Sequence, residues 1–379
     1  MTTALWVAIA GTLLLGAPGG TGQEAPDYDE WFTPAAMRVD VFHSGDAIQE
    51  QISLDAVLEE PIYAGSRSQL IDPLDYGKYR LMVRDAGSRR LLYSRGFSTL
   101  FGEWQTVPEA SSGLRRSFHE TLRFPYPRQP VVVSVESRDE RWEFRQVVEF
   151  EIDPSAHTIV RERRYADFAV KEIEVKGPVN ETVDLLFVGE GYTADAINEG
   201  KLERDARRFT EALFSWEPFK SRRASFSLRV VESVSRERGM DEPRKGLFRD
   251  TLLGFTFNTF DIARYLNSTD NRTLRDVAGS APYDALIVLV NASRYGGAGI
   301  YNFYAVIVSD NEYDDYVAVH EFGHSFAGLA DEYYTSAVAY SDFYPTGVEP
   351  WEPNITALAD VRHPKWEAQL SPGVAIPTD

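Results

Sequence analysis

Residues 314–334 read DDYVAVHEFGHSFAGLADEYY and contain the pattern His-Glu-x-x-His at His320, Glu321 and His324. On an α-helix, residues four apart lie on one face, one turn above each other, so both imidazoles can bind the same metal ion. Glu321 is offset from that line and faces the open position where a metal-bound water would sit. The apolar residues around the pattern indicate a buried helix. This spacing predicts a zinc centre.

A zinc centre of this kind needs a third protein ligand. After the second histidine the helix has to end so that the chain can return to the metal, and Gly328 permits that turn. Asp331, three residues further on, is the ligand we expect first, and Glu332 is the second choice. Asp360 and His363 lie further along and would need a longer return of the chain.

The chemistry follows from the open zinc position, because zinc lowers the pKa of a bound water to about 7. Glu321 can take the proton from that water as general base and pass it to a leaving amine, which is peptide hydrolysis. Tyr333 and Tyr334 follow the motif, and either hydroxyl could donate a hydrogen bond to an oxyanion. Tyrosines in such places more often serve only in packing.

Composition excludes several classes of protein. The chain has 379 residues, a formal charge of −19 and no cysteine. Without cysteine there is no disulfide, no thiolate ligand and no cysteine nucleophile, so a metal must be held by His, Asp or Glu. The negative charge argues against a nucleic-acid partner or an anionic membrane surface, because both would repel it.

The amino terminus has the pattern of a signal peptide. Residues 4–15 form an apolar run, followed by small residues and then by an acidic segment. We predict cleavage near Gly22, removal of residues 1–22, and export to the periplasm or the extracellular space. No other segment approaches the roughly 20 apolar residues that span a bilayer, so we expect no membrane span after cleavage.

Two domains of different character are expected, which gives a mixed α+β and α/β fold class. Short strand-like runs separated by turn signals predict an antiparallel β-sandwich for residues 23–165. For residues 166–379 the pattern predicts a zincin-like metallopeptidase domain with a mixed sheet and an active-site helix. Its expected elements are a buried strand at 183–188, a helix capped by Thr193, a buried strand at 285–290, a glycine-rich turn at 295–299 and a strand at 301–310. We hypothesise that the last strand is an edge strand that pairs with an extended peptide substrate.

Several stretches of the second half resemble one family of bacterial zinc metallopeptidases, the IgA-peptidase family. They are FVGEGYTA at 187–194, YDALIVLVN at 283–291, RYGGAGIYN at 294–302, HEFGHSFAGLADEY at 320–333, EPN at 352–354 and KW at 365–366. The resemblance implies a secreted metzincin-like zincin with zinc on His320 and His324 and with Glu321 as general base. It supports Asp331 through the acidic pair that belongs to the family motif. Cleavage of immunoglobulin A belongs to one branch of that family, and most relatives have unassigned substrates, so the resemblance does not assign this specificity to the chain.

One departure from the family pattern concerns the floor of the site. Metzincins place a methionine turn beneath the metal, but the methionines of this chain stand at 1, 37, 82 and 240, so none follows the zinc helix. We expect the chain to lack its last segment.

Two functions compete with a secreted endopeptidase: a non-catalytic secreted binding protein with a structural zinc, and a zinc amidase that acts on cell-wall peptides.

Overall fold

The computed structural model of the chain describes residues 25–163, 168–331, 348–357 and 363–374. Several predictions concern residues outside these ranges: the signal peptide, Glu332, Tyr333, Tyr334 and Asp360. The boundary between the predicted domains 23–165 and 166–379 also falls outside the described residues and stays a prediction. Among the described residues, no helix combines the length and the apolar character that crossing a membrane requires.

The first part of the chain is mostly β. Its elements, in chain order, are α1 (Tyr28–Trp31), β1 (Phe32–Gly45), β2 (Glu50–Glu60), β3 (Tyr79–Asp85), β4 (Leu91–Phe97), α2 (Leu100–Gln105), α3 (Pro108–Ser111), β5 (Arg116–Pro127), β6 (Val131–Arg138) and β7 (Phe144–Ile152).

The second part alternates strands and helices. Its elements are β8 (Val170–Glu174), β9 (Val183–Glu190), α4 (Ala194–Asn198), α5 (Lys201–Leu213), β10 (Phe226–Val231), β11 (Phe255–Thr256), β12 (Asn267–Ser268), α6 (Asn271–Ala278), β13 (Ala285–Val290), β14 (Gly297–Ile300), β15 (Tyr304–Val308) and α7 (Asp314–Ala327). Short 3-10 helices occupy Lys220–Ser225, Pro243–Lys245, Thr259–Asp261 and Glu367–Gln369.

The first part forms two antiparallel sheets, with strand orders β2-β1-β5 and β4-β3-β6-β7. Apolar side chains from both sheets meet in one core, for example Val39 and Leu122 from the first sheet and Leu81 and Val133 from the second. Alternate residues of a strand point to opposite faces, so each sheet contributes one apolar face to this core. The predicted antiparallel β-sandwich is confirmed.

The second part is built on a six-stranded mixed sheet with the order β14-β15-β13-β9-β10-β8. The four strands β15, β13, β9 and β10 run parallel, and β14 and β8 run antiparallel to their neighbours. Helices α5 and α7 pack on one face of the sheet. Helix α6 packs on the other face together with α2 from the sandwich. The predicted mixed sheet with a buried helix is confirmed.

The helix predicted after Thr193 is interrupted. The Thr193 side chain caps α4 by accepting a hydrogen bond from the Ala196 amide at 3.4 Å, as the sequence predicts. Gly200 then adopts a left-handed conformation with φ of 71°, and a second helix, α5, begins at Lys201. Glycine adopts this conformation without the steric penalty that a Cβ brings, and this is the reason why one predicted helix becomes two.

The prediction that residues 301–310 form an edge strand is wrong. Strand β15 lies inside the sheet, between β13 and β14, and the edge belongs to β14 in the segment predicted as a glycine-rich turn. The glycines are needed for packing: a Cβ at Gly297 would lie 2.8 Å from Glu321 Oε1, and a Cβ at Gly299 would overlap the Glu321 carbonyl oxygen. The glycines of this segment therefore do not form a turn. They allow helix α7 to approach strand β14 closely.

Candidate metal centre

Helix α7 carries the His-Glu-x-x-His pattern alongside the edge of the mixed sheet. Val317 and Phe322 are buried against the sheet, whereas His320, Glu321 and His324 are only half-buried on the helix side that faces away from this core. The helix ends at Gly328, whose φ of 66° is left-handed, as predicted from the need for a turn. The chain then returns across the exposed side of the two histidines.

Three ligand-type atoms converge above this helix, and they define the α7 cluster of His320, His324 and Asp331. The two Nε2 atoms lie 3.0 Å apart, and Asp331 Oδ1 lies 3.1 Å from His320 Nε2 and 3.2 Å from His324 Nε2. Ligand atoms bound about 2.0–2.1 Å from a tetrahedral zinc ion lie roughly 3.3–3.4 Å apart. The triangle therefore has nearly the size of one face of a zinc tetrahedron, and a set of two imidazoles and one carboxylate suits that ion.

The ring orientation of His324 is fixed by a hydrogen bond at Nδ1, the ring nitrogen that faces away from the triangle. Its Nδ1 lies 2.5 Å from the Leu329 carbonyl oxygen, which can only accept a hydrogen bond, so Nδ1 carries the proton. In the neutral ring this leaves an unprotonated Nε2 facing the centre of the triangle. A hydrogen bond of this kind at the remote nitrogen is the usual support of a histidine ligand.

The segment that bears Asp331 is held in place by Asn354. Its side-chain amide accepts a hydrogen bond from the Ala330 amide at 2.9 Å and donates one to the Ala330 carbonyl at 2.8 Å. Both backbone groups next to Asp331 are thus bound by one side chain. Asn354 belongs to the EPN stretch of the family resemblance, and its role in positioning Asp331 was not foreseen from the sequence.

The charges in the cluster are strongly coupled. Burial acts to raise the pKa of Asp331, yet the hydrogen bonds to the two imidazoles hold it well below its usual range. Burial acts to lower the pKa of His324, but the hydrogen bond to Asp331 and the charges of Glu321 and Asp331 outweigh it and raise the pKa to about 9. The site therefore favours positive charge at its centre, whether this is supplied by protons or by a cation.

Glu321 lies beside the triangle and is not part of it. Its carboxylate faces Gly297 of the edge strand, and burial raises its pKa while the two histidines offset this only in part. The described residues offer it no hydrogen-bond donor, so its oxygens are available to a molecule bound at the triangle. This is the placement required of a proton acceptor next to a metal position.

A carboxylate from the sandwich also interacts electrostatically with the α7 cluster. This carboxylate is Glu103, which lies in α2 next to Trp104. The Trp104 ring contacts Phe260, and Phe260 contacts Tyr265. Tyr265 forms a β-bridge with Gly297 of the edge strand. Burial raises the pKa of Glu103 to about 6, and the charges of His324 and Asp331 both act on it. More than 200 residues separate Glu103 from the motif, and no local sequence pattern indicates this proximity.

The remaining candidate ligands are not at the site or are not described. His363 is largely exposed, and its Nδ1 lies 2.9 Å from Glu367 Oε2, within its own segment. Glu332 and Asp360 lie outside the described residues, as do Tyr333 and Tyr334. The assignment of Asp331 as third ligand remains a prediction that the observed geometry supports.

A second group of ligand-type residues, here called the sandwich cluster, consists of Asp40, Asp55 and His119. His119 Nε2 lies 3.6 Å from Asp40 Oδ2 and 3.5 Å from Asp55 Oδ2. Both carboxylates are bound by guanidinium groups, Asp40 by Arg38 and Asp55 by Arg272. The arginines already neutralise these acids, so the sandwich cluster is an ion-pair network.

Helix α7 thus brings two histidines together with a carboxylate that returns after a glycine turn, and this set of side chains could hold a metal ion. The family pattern described as IgA Peptidase M64 matches residues 171–379, and the pattern described as Peptidase M64 N-terminus matches residues 27–149. The chain belongs to the IgA peptidase M64 family, a family of peptidases. A search of curated proteins gave no match.

Proposed function

We propose that this chain is an exported, zinc-dependent endopeptidase in which His320, His324 and Asp331 hold the metal and Glu321 is the general base. Family membership supports the peptidase activity. The observation that carries the metal assignment is the triangle of donor atoms with edges of 3.0, 3.1 and 3.2 Å. The apolar run at residues 4–15 supports export.

The residues of the site have distinct tasks in this proposal. Zinc, when bound, supplies a Lewis acid that makes water acidic near neutral pH and polarises a carbonyl group. Glu321 accepts the proton of the attacking water at its carboxylate and delivers it to the nitrogen of the leaving amine. His324 keeps its orientation through the Leu329 carbonyl, and Asn354 holds the segment that bears Asp331.

Three protein ligands distinguish a catalytic from a structural metal site. A closed structural zinc has four protein ligands, whereas a catalytic zinc keeps one position for water or substrate. Within the described ranges, the α7 cluster contains three such groups. This favours the catalytic site over a binding protein with a structural zinc, and a peptide or protein is the substrate class we expect.

The test combines metal analysis with a hydrolysis assay on casein and on a quenched fluorescent peptide. We expect one zinc per wild-type chain, and we expect Glu321→Gln to retain the zinc while hydrolysis falls by roughly 10²–10⁴-fold. Glu312→Gln, an exposed carboxylate just before α7, is the matched control and should behave as wild type. Unchanged hydrolysis in Glu321→Gln would refute the general-base role, and a zinc-bound wild type without activity would favour a structural metal.

A further inference from the structure

A cavity of about 50 Å³ lies between the sandwich and the mixed-sheet half of the chain. It is bounded by strands β3, β4 and β5 on one side and by α6 and the ends of β13 and β14 on the other. Three guanidinium groups line it, from Arg95, Arg123 and Arg275. Three arginines around so small a space are unexpected, because buried positive charge is costly without a negative partner.

Two of these guanidinium groups have no carboxylate partner among the residues that the structure describes. Arg95 donates to Asn302 Oδ1 at 2.9 Å and to the Asp284 carbonyl at 3.4 Å, and Arg275 donates to Asn271 Oδ1 at 3.3 Å and to the Phe303 carbonyl at 2.9 Å. All of these acceptors are neutral. Within the described part of the chain, neither arginine forms an ion pair. The chain has 58 acidic and 39 basic residues. The lack of a carboxylate partner for these two arginines is therefore not explained by the composition of the chain.

The other lining groups leave the cavity with an excess of positive charge. Arg123 is paired with Glu60 at 2.7 Å. Asp284 is the carboxylate among the described lining residues, and its Oδ2 accepts a hydrogen bond from the Asp184 amide at 2.9 Å. Burial raises the pKa of Asp284 despite the nearby Arg95 and Arg123. A raised pKa makes the negative form of Asp284 less favourable, so it is a weaker counter-ion for the arginines. Three guanidinium groups thus face at most two carboxylates.

An unsatisfied donor points to the same missing partner. The Tyr283 hydroxyl is buried and has no hydrogen-bond partner among the described residues, and Tyr283 also lines the cavity. A buried hydroxyl without a partner costs roughly 1–3 kcal/mol, so such groups normally find one. A small acceptor within the cavity would satisfy this hydroxyl and the guanidinium groups together.

We propose that the cavity lined by Arg95, Arg123, Arg275 and Tyr283 is a binding site for a small inorganic anion, a halide or a tetrahedral oxyanion. The anion supplies the negative charge that Arg95 and Arg275 lack among the described residues. It joins the sandwich, through Arg95 and Arg123, to α6, through Arg275. So small a space suits a halide or a tetrahedral oxyanion. This inference is independent of the proposed peptidase activity.

Hydrogen bonds also connect the cavity to helix α7. Arg95 holds the Asn302 side chain, and the Asn302 backbone amide donates to the Ser325 carbonyl in the last turn of α7 at 2.8 Å. Ser325 directly follows His324. An anion that fixes Arg95 therefore also supports the end of the helix that carries the second histidine.

Thermal unfolding of the full chain tests the proposal. The melting temperature is measured at constant ionic strength while sodium gluconate, whose anion is too large for the cavity, is replaced by sodium chloride or by sodium phosphate. We expect at least one of the two small anions to give a saturable rise of about 2–4 °C or more, since a ligand of the native state alone stabilises it. Chloride and phosphate in separate titrations distinguish a halide site from an oxyanion site.

Variants assign that rise to the cavity. Arg275→Gln should abolish the anion-dependent rise, and Arg249→Gln, a surface arginine, is the matched control and should retain it. If Arg275→Gln does not fold, Tyr283→Phe removes a single oxygen and should weaken the apparent affinity about fivefold. A rise that is the same in wild type and in the folded cavity variants, or no saturable rise with either anion, would overturn the proposal and leave a water-filled cavity.

Discussion

The α7 cluster and the sandwich cluster contain the same kinds of ligand but differ in their other partners. In the α7 cluster Asp331 contacts the two imidazoles, and the remote nitrogen of His324 is held by a backbone carbonyl. In the sandwich cluster Asp40 forms two hydrogen bonds with Arg38, at 2.7 and 2.8 Å, and Asp55 pairs with Arg272. Converging ligand atoms alone therefore do not define a metal site.

The difference lies in charge and in orientation. A guanidinium group next to a carboxylate occupies its lone pairs and repels a second cation at close range. The α7 cluster has no arginine or lysine among the partners described for its three members, so its negative charge is left to protons or to a metal. We infer that selective metal binding depends as much on the absence of arginine as on the presence of histidine.

The largest expected effect separates the two clusters directly. His324→Ala removes a ligand and should abolish stoichiometric zinc binding and peptide hydrolysis, a greater loss than the 10–100-fold that removal of a supporting partner costs. His119→Ala removes the histidine of the sandwich cluster and should leave zinc content and activity at the wild-type level. Zinc content by mass spectrometry checks both. Loss of zinc in His119→Ala, or its retention in His324→Ala, would reverse the comparison.

The next effect tests the sandwich cluster as an ion-pair network. Arg38 is buried and binds Asp40 and Asp276 with bonds of 2.7–2.8 Å. Arg38→Met leaves buried acids without their partner and should destabilise the fold by about 3–5 kcal/mol in urea unfolding. Arg236→Met, which breaks an exposed pair with Asp250, is the control and should cost at most about 1 kcal/mol. Equal small costs would show that the buried network contributes no more to stability than a surface pair.

A third carboxylate extends the comparison, because its hydrogen-bond donors among the described residues are all neutral. Glu190 is buried and accepts hydrogen bonds from the Thr251 hydroxyl and from the Leu253 and Phe255 amides at 2.6–3.0 Å. Burial raises the pKa of Glu190 to about 7 from an ordinary value of 4.5. The native state therefore holds this proton more tightly than the unfolded state, so the stabilising contribution is complete below about pH 4.5 and is lost as the pH rises through 7.

The size of that pH effect follows from the shift. A rise in the pKa of Glu190 from 4.5 to about 7 corresponds to a difference of about 3 kcal/mol in the free energy of unfolding between acidic and neutral pH. We expect the free energy of unfolding of wild type to fall more steeply over this range than that of Glu190→Gln, which has no proton to lose. Parallel pH profiles of the two proteins would mean that the donors keep Glu190 ionised throughout.

The smallest effect concerns the support of the α7 cluster. A Cβ at Gly299 would overlap the Glu321 carbonyl and would lie 2.9 Å from His324 Cβ. Gly299→Ala should therefore displace α7, cost about 1–3 kcal/mol and weaken zinc binding. Gly87→Ala is the control, because its added Cβ meets only Asp85 Oδ2 at 3.5 Å, an ordinary contact. Zinc affinity that is unchanged in Gly299→Ala would show that the helix tolerates the shift.

Sequence patterns predicted the elements whose causes are local. The helix with His320 and His324, the turn at Gly328 and the cap at Thr193 each depend on residues within one or two turns. The sandwich and the buried strand at Ala285–Val290 followed from strand periodicity and apolar content. For the candidate site, spacing ranked Asp331 first and left Glu332, Asp360 and His363 as alternatives. In the described part of the chain, Asp331 contacts both imidazoles.

The features that the sequence did not predict arise from contacts between distant segments. Glu103 approaches the α7 cluster only because α2 packs on the mixed sheet, and Asn354 binds Ala330 across 24 residues. Gly297 and Gly299 resemble a turn in composition, but their small size serves the contact with α7. The three arginines of the cavity lie on three separate elements, β4, β5 and α6. Only the folded arrangement shows which charges face each other without a partner.

The most direct test is X-ray diffraction from crystals of the purified full chain, with anomalous data collected on both sides of the zinc absorption edge. We predict one zinc peak within about 2.0–2.2 Å of His320 Nε2, His324 Nε2 and a carboxylate oxygen of Asp331. A zinc peak at the sandwich cluster, or a fully occupied α7 cluster in which Asp331 points away from the metal, would contradict the account.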